Sequence, residues 1–142
     1  MAIAGLWLRR AKASRDPFDR LMAVYLAFGY LYIGGRKPKE SERGCAVRYA
    51  VDMCVRYSFD PFSCDVSEYR IDVVKSTRPG HEGEKFGLSD DETPSELFRA
   101  IHLVRSNLFN GSSFILDDRA ERLASQGANV LIDLLSRILG GP

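Results

Sequence analysis

The sequence has few of the residues that build metal centres and covalent frameworks. Its 142 residues include three cysteines, two histidines and one tryptophan. Cys45, Cys54 and Cys64 form no C-x-x-C pair, so their spacing indicates neither a zinc site nor a disulfide framework and favours reduced thiols in a cytoplasmic protein. We therefore expect no metal ion and no other cofactor.

An excess of one charge and a long apolar run are also missing. Twenty Lys and Arg residues against 19 Asp and Glu give a net charge of +1, which argues against a uniformly basic surface but allows a local basic cleft. The longest apolar candidate, Leu21 to Ile33, is shorter than the about 20 residues that span a membrane. The run Ala2 to Leu8 precedes Arg9 and Arg10, whereas a secretory signal carries its charges before a longer apolar core.

Motifs of several common enzyme classes are absent from the sequence. It contains no glycine-rich phosphate loop, no cluster with metal-ligand spacing and no serine–histidine–acid arrangement. There are no internal repeats either. What is present is a hydrophobic share of 45%, which is ordinary for a folded protein. A chain of this length most simply forms one domain over residues 1–142, large enough to bury its own core.

Apolar residues recur at helical spacing in four segments, which predicts four long helices. The first runs from Phe18 to Ile33, with Asp16 as its cap and Pro17 at the first helical position. The other three are Ser41 to Tyr57, Pro94 to about Phe109, and a last helix that Asp118 caps and Gly140-Gly141 ends. Together they predict an all-α fold, an antiparallel up-down four-helix bundle with an irregular segment between the second and third long helices.

The segment between those two helices supports more than one assignment. Tyr69, Ile71 and Val73 alternate with polar neighbours, which fits a short strand and fits a short helix equally well. Residues 76–92 combine a proline with three glycines and five acidic residues, and they predict a mobile surface loop. His81 lies in this loop, where a histidine is more often solvated than part of a site.

Two shorter segments flank the first predicted helix. Residues 1–15 form an N-terminal extension, in which Trp7 and its neighbours predict packing on the bundle or on a second subunit, with a membrane-surface anchor as the alternative. After the helix comes a basic turn with Arg36, Lys37 and Lys39. These charges are either solvated or in contact with phosphate groups.

The most informative stretch is the third predicted helix. Thr93-Pro94-Ser95-Glu96 begins it with a capping hydroxyl, a proline at the first helical position and a glutamate three residues after the threonine. Asn110-Gly111 ends it, because both residues tolerate the left-handed conformation. Arg105 lies close to the core-facing side, so it needs a carboxylate partner, a groove or a subunit interface. The apolar stripe comprises Leu97, Ile101, Val104 and Leu108.

The end of this helix resembles a known motif. The run R-S-N-L-F-N-G, within Val104 to Gly111, resembles the signature helix end of the HEPN superfamily, commonly written around R-N-N-L-F-H-G. Asn110 occupies the position of the motif histidine. A second run, Asp16 to Tyr32, looks like the first helix of one HEPN branch, in which an F-x-x-x-W-x-A-F-N-x-L-Y-like pattern is common. Tyr25 stands at the tryptophan position and Gly29 at the asparagine position.

The resemblance implies a helical bundle that acts on RNA. HEPN proteins with an intact motif are often metal-independent ribonucleases, and their site usually forms where two motif helices meet across a two-fold dimer interface. RNA carries its own nucleophile, the 2′-hydroxyl. The protein therefore needs a group that moves a proton, which suits histidine, and a group that stabilises charge on the phosphate, which suits arginine. The resemblance therefore implies a homodimer that works without a metal ion.

The resemblance also gives each candidate residue a role. Arg105 takes the role of the motif arginine. Asn110 does not titrate at working pH, although it can hydrogen-bond a phosphate or a base edge. His102, one turn before Arg105, is a nearby imidazole that can compensate across the dimer. The predicted RNA contacts are Ser106, Asn107, Arg36 and Lys37.

Three functional hypotheses follow from these patterns. The first is an RNA-directed HEPN protein of the endoribonuclease type with weak or residual cleavage, a toxin or defence effector. The second is a HEPN module without catalysis that dimerises, binds RNA or a nucleotide, and partners another protein such as an antitoxin. The third is a helical bundle whose similarity is coincidental. We favour a dimeric, RNA-directed protein with a degenerate or disabled site.

Overall fold

The computed structural model describes residues 2–81, 83–110 and 117–140. This part of the chain is mostly helical, which confirms the predicted class in its coarse form. The α-helices are α1 (Ala2–Ala13), α2 (Pro17–Tyr32), α3 (Glu42–Arg56), α4 (Ser67–Ile71), α5 (Pro94–Asn110) and α6 (Asp118–Ile138). Short 3-10 turns cover Ile33–Gly35 and Pro61–Ser63, and two strands, β1 (Val74–Lys75) and β2 (Lys85–Phe86), form the one sheet described.

The four predicted long helices appear as α2, α3, α5 and α6, because each carries a local start signal. The Asp16 side chain accepts a hydrogen bond from the Phe18 N–H at 3.1 Å, and Ser41 Oγ accepts one from the Gly44 N–H at 2.9 Å. The start of α5 is the predicted capping box, in which Glu96 Oε1 accepts from the Thr93 N–H at 2.9 Å.

One predicted cap is wrong by a single residue. Asp117, not Asp118, caps α6, because Asp117 keeps an extended backbone while its carboxylate accepts from the Ala120 N–H at 2.8 Å. Asp118 is the first helical residue. The predicted linker from Ser112 to Leu116 lies outside the described residues, as does Gly111 at the predicted end of α5.

The N-terminal extension is mostly a helix, and it packs on the other helices of its own chain, which is the first of the two predicted alternatives. Ala4, Leu8 and Ala11 of α1 are buried against the rest of the fold, where α1 contacts α2 and α6. Arg20 of α2 stabilises the end of α1, since its Nη1 donates to the carbonyl oxygens of Ala11 at 3.1 Å and Ser14 at 3.2 Å.

Helix α2 is central to the core. It contacts α1, α6, α3 and α5, and α5 in turn packs against α3 and α6. The up-down order of the four long helices stays a prediction. Within the described ranges, none of the helices combines the length and apolar character needed to cross a membrane.

Of the two assignments allowed for the alternating segment Tyr69 to Val73, the short helix is the one observed, at Tyr69 and Ile71. Tyr69 lies in the short helix α4, where its side chain is buried, and Val74 begins a strand. β1 and β2 pair in antiparallel register, with Val74 opposite Phe86 and Lys75 opposite Lys85. The hairpin is a small addition to a mostly helical fold, and the loop predicted for residues 76–92 contains the strand β2. Two-residue strands are too short to show the alternation that identifies a strand.

Candidate functional site

A cleft of about 380 Å³ lies between the start of α3, the hairpin loop and the second half of α5. We call it the Arg105 cleft. It brings together residues that are polar or charged with one exception, Leu103, and that come from three separate parts of the chain. They are Ser41, Glu42, Arg43, Ser76, Arg78, His81, Glu84, His102, Leu103, Arg105 and Ser106.

Arg105 combines an ion pair with two aromatic contacts. Its Nη1 donates to Glu42 Oε1 at 3.0 Å, so Glu42 is the carboxylate partner that Arg105 was expected to need. The guanidinium carbon lies 5.0 Å from the ring centroid of Tyr25 and 4.6 Å from that of Phe109. These rings orient the guanidinium, and Arg105 Nε is buried without a hydrogen-bond partner among the described residues. The cation is thus held in place beside the cleft with donor capacity left over.

His102 lies in a different environment from the one its predicted role requires. It is 6% exposed, and its Nδ1 shares a hydrogen bond with Tyr25 Oη. Burial, and then the charge of Arg105, lower the pKa of His102 to about 4. Burial likewise raises the pKa of the Tyr25 hydroxyl. An imidazole with so low a pKa is neutral at pH 7, which argues against His102 as a substitute proton donor.

The second histidine reaches the same cleft. His81, predicted to be solvated in the loop, has its Nδ1 3.6 Å from Glu84 Oε2. Glu84 also accepts from Arg43 Nη1 at 3.2 Å. Burial raises the pKa of Glu84, but the hydrogen bond and charge of Arg43 outweigh that effect and hold the pKa below its ordinary value. Glu84 is therefore ionised near neutral pH and connects the loop to α3.

Among the described residues that line the cleft, arginines outnumber carboxylates. Arg43, Arg78 and Arg105 line it together with two carboxylates, those of Glu42 and Glu84, which pair with Arg105 and Arg43. Arg78 forms no ion pair with any carboxylate in the described ranges. Nor do those ranges contain three His, Cys, Asp or Glu side chains grouped to hold a metal ion. The arrangement suits an anion better than a cation.

The two predicted RNA contacts on α5 lie in different environments. Ser106 lines the Arg105 cleft. Asn107 is 1% exposed, and it is held by the hairpin, because its Nδ2 donates to the Lys75 carbonyl at 2.9 Å and its Oδ1 accepts from the Thr77 N–H at 3.0 Å. Asn107 is therefore not available for the predicted RNA contact. Instead it attaches the hairpin, which forms one wall of the cleft, to α5.

The predicted basic turn is organised around a carboxylate outside the cleft. Arg36 Nε donates to the Glu40 carbonyl at 2.7 Å, and the Lys37 N–H donates to Glu40 Oε1 at 3.0 Å. Arg48 adds two hydrogen bonds of 2.9 Å to the same carboxylate and lowers the pKa of Glu40 to about 2. Arg36 and Lys37 do not line the Arg105 cleft, and the Glu40 carboxylate beside them is paired with Arg48.

Asn110, at the position of the motif histidine, is the last residue of α5. Its side chain lies outside the described part of the chain. A regular helix turns about 100° per residue, which puts a residue five positions later about 140° around the axis. Positions 105 and 110 therefore lie on different sides of the α5 axis.

Sequence reasoning missed Arg43, Arg78, Glu42 and Glu84. These residues lie tens of positions from Arg105 in the chain, and no local spacing connects them to it. One signal was present at Arg43, a cation in the first turn of α3. The helix dipole disfavours a cation there, so the position calls for a compensating carboxylate, which Glu84 supplies.

Comparisons of the chain with protein-family models, with curated proteins and with solved structures find no match. The HEPN resemblance accordingly depends on the two motif stretches alone.

Proposed function

We propose that this protein is an RNA-directed, HEPN-like helical protein of the metal-independent endoribonuclease type, with a degenerate catalytic motif. The observation that carries the proposal is the position of Arg105, the motif arginine, in a cleft that also contains Arg43 and Arg78. Guanidinium groups bind phosphate oxygens through paired N–H donors. Three of them around one cleft support binding of an RNA backbone there.

The groups available for proton transfer support binding over efficient cleavage. Attack by the 2′-hydroxyl requires a base and an acid. An asparagine does not titrate, and His102 is buried with a pKa of about 4. The module without catalysis, which binds RNA or a nucleotide and partners another protein, is therefore the second candidate, and it shares the RNA-binding step with the first.

The proposal extends to the assembly and its biological setting. It includes the homodimer that the HEPN resemblance implies, with an up-down four-helix bundle in each subunit. In this proposal the protein acts in the cytoplasm as a toxin or defence effector, with an antitoxin as its protein partner.

Arg105→Ala should weaken binding of a labelled single-stranded RNA by about ten- to hundred-fold, since one charge-assisted contact is worth about 1.5–3 kcal/mol. Fluorescence anisotropy over about 50 to 200 mM salt should also show a salt slope smaller by about 0.7. The matched control is Arg56→Ala, at the far end of α3 about 20 Å from the cleft. Equal affinities for Arg105→Ala and the unmodified protein, with both folded by circular dichroism, would contradict the RNA-binding proposal.

Asn110→His should introduce RNA cleavage in the presence of EDTA, because it restores a titratable group at the motif position. The unmodified protein should bind RNA with little or no cutting. The control is the double variant Asn110→His, Arg105→Ala, which should not cut. If none of the three proteins cleaves RNA, the nuclease type is rejected and the binding module is retained.

Leu26→Glu should convert the proposed dimer to a monomer, as measured by light scattering. Exposed apolar side chains on α1 and α2 offer a surface for a second copy, and a buried glutamate there would be unpaired. These side chains are Ile3, Leu6, Leu26 and Tyr30. The control is Val55→Glu, an equally apolar and even more exposed position on α3. A monomeric unmodified protein would refute the dimer.

A further inference from the structure

Phe109 is an exposed aromatic side chain at the end of α5. It is 51% exposed, and it is the one large apolar side chain of α5 that is exposed among the residues described. It lies one turn after Arg105, so the two side chains share a face of the helix. The guanidinium of Arg105 covers one face of the ring at 4.6 Å, and half of the side chain still contacts solvent.

The proposed function leaves this ring unused. We propose that Phe109 stacks on an unpaired RNA base, and that the Arg105 cleft therefore selects single-stranded RNA over duplex RNA. This inference rests on the proposed function and specifies its substrate class. The phosphate next to the stacked base would bind the arginines of the cleft.

The chemistry of single-strand recognition fits this pair of residues. Proteins that bind single strands combine a positively charged groove with aromatic rings on which bases stack. In a duplex each base is already stacked and paired, so it cannot lie on a protein ring without being extruded. Arg105 is itself held between Phe109 and Tyr25, so the ring and the cation are oriented before a ligand arrives.

A protein partner is the competing occupant of an exposed ring, and the surroundings of Phe109 favour RNA. Protein interfaces form on contiguous apolar patches. On this molecule the larger set of exposed apolar side chains lies on α1 and α2, whereas Phe109 is flanked by the arginine that lines the basic cleft. Among the described residues, Phe109 is an exposed aromatic side chain beside a cation, which is the pattern of a base-stacking site.

The test measures the affinity of one RNA sequence as a single strand and as a duplex. A 2-aminopurine in the strand reports stacking through quenching of its fluorescence. Phe109→Leu should lower the affinity for the single strand about ten-fold, abolish the quenching and remove the preference over duplex. Phe109→Tyr should retain all three, because it keeps the ring. The exposed position of Phe109 leaves the fold intact, which thermal unfolding checks.

Two results would overturn the inference. One is single-strand binding by Phe109→Leu with the affinity and quenching of the unmodified protein. The other is a change of mass by light scattering on Phe109→Leu with unchanged RNA affinity, which would make the ring a protein contact. If Arg105→Ala loses RNA binding while Phe109→Leu keeps it, the stacking inference is rejected and the proposed function is retained. If Arg105→Ala also binds normally, the proposed function fails as well.

Discussion

Gly127→Ala should lower the free energy of unfolding by about 1 to 3 kcal/mol, because the new methyl group has no space. An ideal Cβ at Gly127 of α6 would lie 2.7 Å from Tyr69 Oη and 3.2 Å from Ile101 Cγ2. Both neighbours are almost completely buried, and Tyr69 Oη donates to the Leu123 carbonyl at 2.7 Å. Neither side chain can move away without losing packing or that hydrogen bond. Urea unfolding measures the change.

The matched control for Gly127 is Gly29→Ala, which is the same substitution inside α2. No heavy atom lies within 4 Å of its ideal Cβ, so the gain in helix propensity should stabilise the protein by up to about 1 kcal/mol. A second variant isolates the clash. Tyr69→Phe removes Oη, so the combination of Gly127→Ala with Tyr69→Phe should be less destabilised than the sum of the two single changes. Equal effects at Gly127 and Gly29 would contradict this account of the α4–α6 contact.

Lowering the pH from about 7 to about 5 should cost about 2 kcal/mol of stability through His102 alone. Burial, followed by the charge of Arg105, lowers the pKa of His102 from 6.5 to about 4 in the folded protein. Between these two values the unfolded chain binds the proton more readily than the folded chain does. Stability therefore falls as the pH drops below 6.5, and the loss, about 3 kcal/mol in total, is complete near pH 4.

The test compares urea unfolding at the two pH values for the unmodified protein and His102→Gln. The glutamine can still hydrogen-bond Tyr25 and does not titrate, so its stability should change by about 2 kcal/mol less over this interval. His81→Gln is the control, because it replaces the other histidine, whose side chain is 40% exposed. An unchanged pH dependence in His102→Gln would show that His102 is not a buried neutral imidazole.

Local signals explain why the long helices were predictable. The capping box at Thr93 and Glu96 and the cap at Asp16 are satisfied by residues a few positions away, so the sequence displays both partners together. The cap of α6 was assigned to Asp118 because Asp117 and Asp118 offer the same chemistry at adjacent positions. The choice between them depends on the extended backbone of Asp117, which local sequence does not reveal.

Contacts between distant parts of the chain explain what was missed. The capacity of Arg105 to form an ion pair was evident, but the choice of Glu42 depends on how α3 packs against α5. Asn107 matched a polar position in the motif, yet the fold buries it, because the hairpin offers a carbonyl and an N–H at the right distance. The hairpin itself has two residue pairs and no periodic pattern.

The attachment of the hairpin to α5 has a consequence for the order of folding. A ladder of two residue pairs is marginal in water, and the two hydrogen bonds from Asn107 come from a residue 30 and 32 positions further along the chain. The hairpin should therefore form only after α5 has folded, although it precedes α5 in the chain. During synthesis, a nascent chain whose α5 segment has not yet emerged from the ribosome would have no Arg105 cleft. The proposed RNA-binding surface would thus form late in translation, and a chain truncated before Asn107 would carry the loop arginine and histidine without the wall that positions them.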